Sequence, residues 1–333
     1  TGEMLARRAL AQAGFDSVQV VEAQATADPD FSTVKSPNPE SQAAFALAEE
    51  LGRKVGADVL VATDPDADRV GVEVLQKDGS YLNLSGNQIG AIMAKYILEA
   101  HKNAGTLPEN AALCKSIVST DLVTKIAESY GATMFNVLTG FKFIAEKIQE
   151  FEEKHNHTYM MGFEESFGYL IKPFVRDKDA IQAVLVVAEL AAYYRSRGLT
   201  LADGIEEIYK EYGYYAEKTI SVTLSGVDGA EQIKAIMAKF RNNAPKEWNR
   251  TAITVVEDFK AQTSTAADGT VTNLTTPPSD VLKYTLADGS WIAVRPSGTE
   301  PKIKFYIAVV GESNEDSQAK IANIEAEINA FVK

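Results

Sequence analysis

Cysteine is almost absent from this sequence. The lone Cys114 excludes an internal disulfide and a thiolate metal cluster. Histidine is scarce too. Of the three, His155 and His157 fall in a polar stretch and read as solvated, and His101 lies in a helix. There is no excess of basic charge: the formal net charge is −13. A broad nucleic-acid surface would need a basic face, so none is expected. Local basic pockets for small anions stay open. No apolar run reaches the roughly 18–20 residues of a membrane span. The longest, AIQAVLVVAELAAYY from Ala180, is followed by Arg195 and Arg197. No membrane partner is expected, and a cytoplasmic, reducing setting is the default.

What is present is an ordinary globular composition, 45% hydrophobic and 24% charged. The 333 residues suffice for two or three domains. The opening TGEMLARRALAQAGF shows no signal peptide and already reads as a helix ending at Gly14. It is expected to be a piece of a longer protein.

Residues 1–75 read as alternating helix and strand, with strands at 17–23 and 58–63 and a helix at 39–54. That rhythm implies a mostly parallel sheet. GVEVLQKDGSYLNL predicts a hairpin turning at Asp78-Gly79. The βα rhythm continues through 81–212, with helices at 86–101, 121–130, 141–154, 179–197 and 201–212 and strands at 112–119, 133–138 and 159–166. From about 214 the pattern becomes α+β with antiparallel hairpins. There, 261–280 is expected to be a polar, mobile loop. The expected domains are therefore 1–77, 78–212 and 213–333.

Four motifs carry chemistry. In DPDADR, Asp64, Asp66 and Asp68 alternate at the end of an apolar strand. Like charges that close need a cation, and hard oxygen donors suit Mg²⁺. An EF-hand is excluded, because its sixth position would be Arg69 and its twelfth Leu75. The bland alternative is a solvated acidic turn with Arg69 as internal counterion. In TGFKFI, Thr139-Gly140 opens a helix whose N–H groups suit an anion. Lys142 in its first turn opposes the helix dipole, which is understandable if an anion binds there. Without one this is a routine strand-to-helix turn. In GFEESFG, acceptors and a hydroxyl at a strand end suit vicinal sugar hydroxyls, with Glu164 or Glu165 alternatively a base or metal ligand. A helix-capping surface turn is the plain alternative. The nearby RDKDA adds Arg176 and Lys178. In RPSGTEPKIKFY, Arg295, Ser297, Gly298 and Thr299 combine a guanidinium fork, hydroxyls and a backbone N–H in a tight loop between strands. It reads either as a phosphate nest or as a Pro-Gly hairpin turn.

Taken in this order, DPDADR, TGFKFI, GFEESFG with RDKDA, and RPSGTEP resemble the α-D-phosphohexomutase family, glucose-type members in particular. KSPNPE at 35–40 is similar as well. The resemblance implies two related α/β domains with mixed, mostly parallel sheets, the first incomplete. It also implies a C-terminal α+β domain resembling the TATA-binding-protein fold. The implied reaction moves phosphate between O1 and O6 of a hexose through a bisphosphate and a phosphoserine. The implied ligands are glucose 1-phosphate, glucose 6-phosphate and glucose 1,6-bisphosphate. Carried over by motif, Asp64, Asp66 and Asp68 would hold Mg²⁺, and Arg69 and Lys142 would act at the transferring phosphoryl. Glu164 and Ser166 would hold sugar hydroxyls, and Arg295, Ser297, Gly298 and Thr299 the other phosphate. Thr139, Gly140, Arg176 and Lys178 complete the expected substrate site. The family's Ser-His-Asn-Pro nucleophile motif does not occur in these 333 residues. The chain alone is therefore expected to bind phosphosugar without turnover. Three other readings stay open: a phosphomannomutase, a haloacid-dehalogenase-like phosphatase, which also uses D-x-D after a strand, and a non-catalytic sugar-phosphate binder.

Overall fold

The computed structural model describes residues 1–224, 228–298 and 300–332. They form two compact units, 1–212 and 213–333.

The first unit begins with α1 (Gly2–Gln12) and a one-turn helix α2 (Glu22–Ala25). A 3-10 turn, Gln42–Phe45, runs into α3 (Ala46–Val55). Arg53 and Lys54 occupy its last turn, where cations suit the dipole, and left-handed Gly56 stops it. Strands β1 (Val59–Thr63), β2 (Val70–Leu75) and β3 (Tyr81–Leu84) then form a sheet in that order. The β2–β3 hairpin turns at Asp78-Gly79 as expected, with Leu75 opposite Tyr81. Two expectations fail here. The sheet is antiparallel throughout, not parallel. Residues 17–23 hold no strand. Their Val-Gln-Val alternation finds no pairing strand among the described residues, and Val18 stays exposed. A strand exists only where a neighbour takes its hydrogen bonds.

Helix α4 (Gly86–Asn103) starts in a capping box made by Ser85 and Gln88. There follow β4 (Ala111–Ser116), α5 (Leu122–Ser129), β5 (Thr133–Val137), α6 (Phe141–Lys154), β6 (Thr158–Glu164) and β7 (Gly168–Leu170). The sheet order is β5-β4-β6-β7. β4 runs parallel to both β5 and β6, and β7 folds back antiparallel on β6. Every residue of β4 is buried, as expected for a central parallel strand covered on both faces. α7 (Ala180–Ser196), capped by Asp179, and α8 (Leu201–Tyr212) complete the unit. The two sheets meet where Arg69 bridges Gly168 and the Val70 N–H donates to the Phe167 carbonyl at 3.1 Å.

The described residues of the second unit form one antiparallel sheet under two helices. Its elements are β8 (Tyr214–Thr223), α9 (Gly229–Asn243), β9 (Glu247–Trp248), β10 (Thr251–Asp258), β11 (Thr263–Ala266), β12 (Val271–Asn273), β13 (Leu282–Leu286), β14 (Trp291–Pro296), β15 (Lys302–Gly311) and α10 (Asn314–Val332). The strand order is β12-β11-β10-β13-β14-β15-β8, with β9 on β10. Ile321, Ile324 and Ile328 of α10 recur at helical spacing and pack with Phe240, Tyr284 and Phe305. The stretch 261–280 is no plain loop. β11 and β12 form a hairpin inside it, turning at Asp268-Gly269 and pairing onto β10. Its polar composition hid the strands, because both faces lie at the edge of the sheet.

Among the described residues, parallel pairing is thus confined to the four-stranded sheet. The class expected from the motifs, α/β followed by a C-terminal α+β domain, holds.

Candidate functional site

Asp64 follows the last residue of β1, and β2 begins at Val70. The residues between must reverse direction within one short loop. Asp64 organises it: its Oδ1 accepts the backbone N–H groups of Asp68 (3.1 Å) and Arg69 (3.0 Å). Ala67 sits at φ 62°, a left-handed conformation that costs a residue with a Cβ. The carboxylate oxygens of Asp64, Asp66 and Asp68 come within 4.8 Å of one another. Burial pushes the Asp64 carboxyl up to about 6, the Arg69 N–H opposes this, and Asp68 and Asp66 add to the rise.

Two cations border the acids. The Arg69 Nε lies 3.7 Å from Asp64 and 3.6 Å from Asp68, while its Nη1 donates to Glu40 at 3.0 Å. Glu40 closes the KSPNPE stretch, so that segment belongs to this site. The Lys178 Nζ pairs with Asp68 Oδ2 (3.0 Å) and with Asp177 (2.9 Å). Its stem crosses Gly168, where a Cβ would fall 2.2 Å from Lys178 Cδ. Its ammonium stands 5.5 Å from the Phe141 ring centre. Lys178 therefore links the acidic loop, the TGFKFI turn and the GFEESFG turn.

The residues fit a hard dication. Asp68 Oδ1 is buried and lacks a hydrogen-bond partner among the described residues. Three hard oxygen donors crowd together, and at Asp64 burial works against ionisation.

Glu164 ends β6 and is 6% exposed. Burial raises its pKa, against the Gly140 N–H, which donates to its Oε1 at 2.6 Å. Gly140, at φ 123°, is the residue before α6. The Thr139 Oγ1 is buried beside it without a hydrogen-bond partner among the described residues. Lys142 is exposed, its ammonium 4.8 Å from the Phe143 ring centre. Ser166 is half-buried in the turn between β6 and β7.

Not every expected residue joins this cluster. Arg176 is exposed and held by Glu152 of α6 and the Pro173 carbonyl. Arg295, Ser297 and Gly298 lie in the second unit, where Arg295 of β14 pairs opposite Lys304 and the Ser297 N–H donates to the Lys302 carbonyl at 2.8 Å. Thr299 lies outside the described residues. Sequence reasoning missed Glu40 as a partner of Arg69, and it missed the buried Lys115, Ser116 and Ser119 behind the glutamates. A lysine inside the apolar strand ALCKS was the available signal, since a fully buried lysine must have a partner.

The fold and the site together define an α/β protein with an acidic, metal-competent loop at a strand end, beside a buried glutamate turn. The comparisons place it further. Models of phosphoglucomutase/phosphomannomutase match the chain three times: α/β/α domain II over residues 1–77, α/β/α domain III over 85–212, and the C-terminal domain over 227–330. A phosphoglucomutase of Staphylococcus aureus (strain bovine RF122 / ET3-1) is 39% identical over 308 residues, covering 92% of this chain and 54% of the relative. One of Staphylococcus haemolyticus (strain JCSC1435) is 37% identical over 324 residues, covering 97% and 58%. The chain spans a little over half the length of these curated relatives. The open form of pp63/parafusin, a phosphoglucomutase from Paramecium, superposes with a TM-score of 0.60 at 20% identity, over 89% of this chain and 50% of that one. That likeness speaks for the fold. The chain belongs to the phosphoglucomutase/phosphomannomutase family, the α-D-phosphohexomutases.

Proposed function

We propose that this chain supplies the metal loop, hydroxyl clamp and distal phosphate loop of a phosphohexomutase that interconverts glucose 1-phosphate and glucose 6-phosphate through glucose 1,6-bisphosphate. The observation that carries the reading is the triad Asp64, Asp66 and Asp68, gathered within 4.8 Å and flanked by Arg69 and Lys178. The proposed domains are 1–77, 78–212 and 213–333, and the proposed compartment is the cytoplasm. Among the described residues no helix is long and apolar enough to cross a membrane.

In this reading Asp64, Asp66 and Asp68 hold Mg²⁺, which would neutralise charge building on the transferring phosphoryl group. Arg69 turns from Glu40 toward that phosphoryl, and exposed Lys142 reaches it from the first turn of α6, where it also serves as general acid or base. Lys178, which pairs with Asp68, would offer its charge to substrate were Asp68 to serve as a metal ligand, and Arg176 lies along the same loop. Glu164 and Ser166 accept and donate to sugar hydroxyls, with Thr139 and Gly140 alongside. Arg295, Ser297, Gly298 and Thr299 hold the non-reacting phosphate. Positioning and charge neutralisation supply most of phosphoryl-transfer catalysis, and these groups do both. These 333 residues contain no Ser-His-Asn-Pro, so the phosphoryl-carrying serine is not among them, and the chain by itself binds without turnover.

Calorimetry of the purified chain with glucose 1-phosphate, with and without Mg²⁺, tests the site. Binding that strengthens with Mg²⁺ is expected, and no binding in either condition sinks it. A coupled mutase assay tests the rest, where robust turnover would refute inactivity of the chain alone.

A further inference from the structure

We infer that Ser116, Ser119 and Glu165 are positioning residues: a buried tie behind the hydroxyl clamp that sets where Glu164 and Ser166 point without touching substrate. The inference rests on the reading of Glu164 and Ser166 as that clamp.

Two consecutive glutamates are pinned by two successive strand-to-helix turns. Glu164 takes the Gly140 N–H of the β5–α6 turn at 2.6 Å. Glu165 goes the other way, into the β4–α5 turn. Its Oε2 accepts from the Ser116 hydroxyl at 2.9 Å and from the Ser119 hydroxyl at 3.2 Å, and its own N–H donates to Ser119 Oγ at 3.0 Å. The two serine oxygens lie 2.9 Å apart, and both residues are wholly buried. A carboxylate that served only as a surface cap would face water instead.

The turn that carries the serines is itself held firmly. Lys115, wholly buried at the end of β4, pairs with Asp121 at 2.8 Å and donates to the Ser119 carbonyl at 3.1 Å. Its charge is answered by Asp121, which leaves the Glu165 carboxylate to the hydroxyls. The Thr120 N–H donates to Asn87 Oδ1 at 3.0 Å, tying the turn to the start of α4. That helix also presses on the glutamate backbone: a Cβ on Gly86 would fall 2.1 Å from the Glu165 carbonyl oxygen. The Tyr169 hydroxyl donates to the Gly86 carbonyl at 2.9 Å. Residues 164–168 are thus anchored from β2, from α4 and from the β4–α5 turn, and the Glu165 carboxylate makes the side-chain tie to that last turn. A satisfied buried polar network rigidifies the segment it holds.

The test uses the 333-residue chain in three variants, Glu165→Ala, Ser119→Ala and Glu165→Gln, with Glu164→Ala as reference. Glucose 1-phosphate and inorganic phosphate are titrated separately. Glu165→Ala and Ser119→Ala are expected to weaken glucose 1-phosphate about tenfold, the scale of one lost charge-assisted hydrogen bond. Inorganic phosphate, which has no hydroxyls to read, keeps its affinity. Glu165→Gln retains an acceptor oxygen and recovers most of the loss. Amide exchange of 164–168 accelerates in both weakened variants, while the amides of β4 and β6 stay protected. If Glu164→Ala binds glucose 1-phosphate like the parent, the clamp reading itself falls. If Glu164→Ala weakens binding but the Glu165 and Ser119 variants do not, or if they weaken both ligands alike, the tie is refuted. If the parent binds no sugar phosphate, unchanged exchange at 164–168 refutes it as well.

Discussion

The Glu164 carboxylate accepts the Gly140 backbone N–H at 2.6 Å, so the acid expected to hold sugar hydroxyls and the amide expected to greet an anion satisfy each other. The contact closes one strand end of the four-stranded sheet onto the next. It also fixes Glu164 Oε1 on the Gly140 amide, so that contact sets the directions of the remaining acceptor sites.

Specificity should divide between Glu164 and Arg295. In the intact enzyme, Glu164→Ala is expected to raise KM for glucose 1-phosphate at least tenfold, the order of one or two hydrogen bonds to a charged group. Arg295→Ala is expected to weaken glucose and mannose phosphates alike, because a guanidinium fork reads phosphate and not the sugar. Steady-state kinetics with both sugars check this. Unchanged kinetics for Glu164→Ala would remove the hydroxyl-clamp assignment.

Metal binding and folding should separate within the acidic triad. Asp66 is exposed, whereas Asp64 accepts two backbone N–H groups of its own loop. Asp66→Asn is expected to weaken Mg²⁺ at least tenfold and leave the apo melting temperature unchanged. Asp64→Ala is expected to lose Mg²⁺ and also about 1–3 kcal/mol of stability from its stranded amides. Calorimetric Mg²⁺ titration and thermal melts read the two effects. Equal melting temperatures for the two variants would contradict the loop-organising role.

Gly168 and Lys178 should be coupled. A Cβ at 168 would fall 2.2 Å from Lys178 Cδ, so Gly168→Ala must reroute the lysine away from Asp68. A cost of about 1–3 kcal/mol is expected, typical of overpacking. Added to Lys178→Ala, the same substitution should cost almost nothing further. Additive losses in urea denaturation would show that Gly168 matters for some other reason.

Glu73 should make stability fall as pH rises. It is fully buried on β2, and burial first, then the charge of Glu49, raises its pKa from 4.5 to about 7. Arg53 of α3 and Asn83 of β3 face it and oppose the rise. Between those values the folded chain binds the proton and the unfolded chain releases it. Glu73 therefore helps below about pH 4.5, and its contribution is lost as pH climbs to 7, by up to about 3 kcal/mol. Glu73→Gln is expected to flatten that window and to melt higher than the parent at pH 8. Parallel stability curves for the two proteins would refute it.

Much was legible from residues close together in the chain. The helices and strands of 86–212 were readable because of consistent periods and sharp starts, such as the Ser85 cap and Gly140. The acidic loop was legible because three acids after an apolar strand have few tolerable explanations. Long-range pairing was not. Nothing in VLVAT or VGVEVL says that they run antiparallel, and nothing in SVQVVEA says that no strand will meet it. The hairpin in 261–280 was masked by polar residues that an edge strand tolerates.

By itself, then, the sequence determined the motifs proposed to carry chemistry and the βα rhythm that places them at strand ends, since period, caps and charge repulsion act over a few residues. Only the tertiary structure decided their company. It set Glu40 against Arg69, Lys178 between Asp68 and Gly168, and Glu165 on Ser116 and Ser119. Those partners lie from 10 to 110 residues apart in the chain, and only the packing of sheets and turns brings them within hydrogen-bond or van der Waals reach.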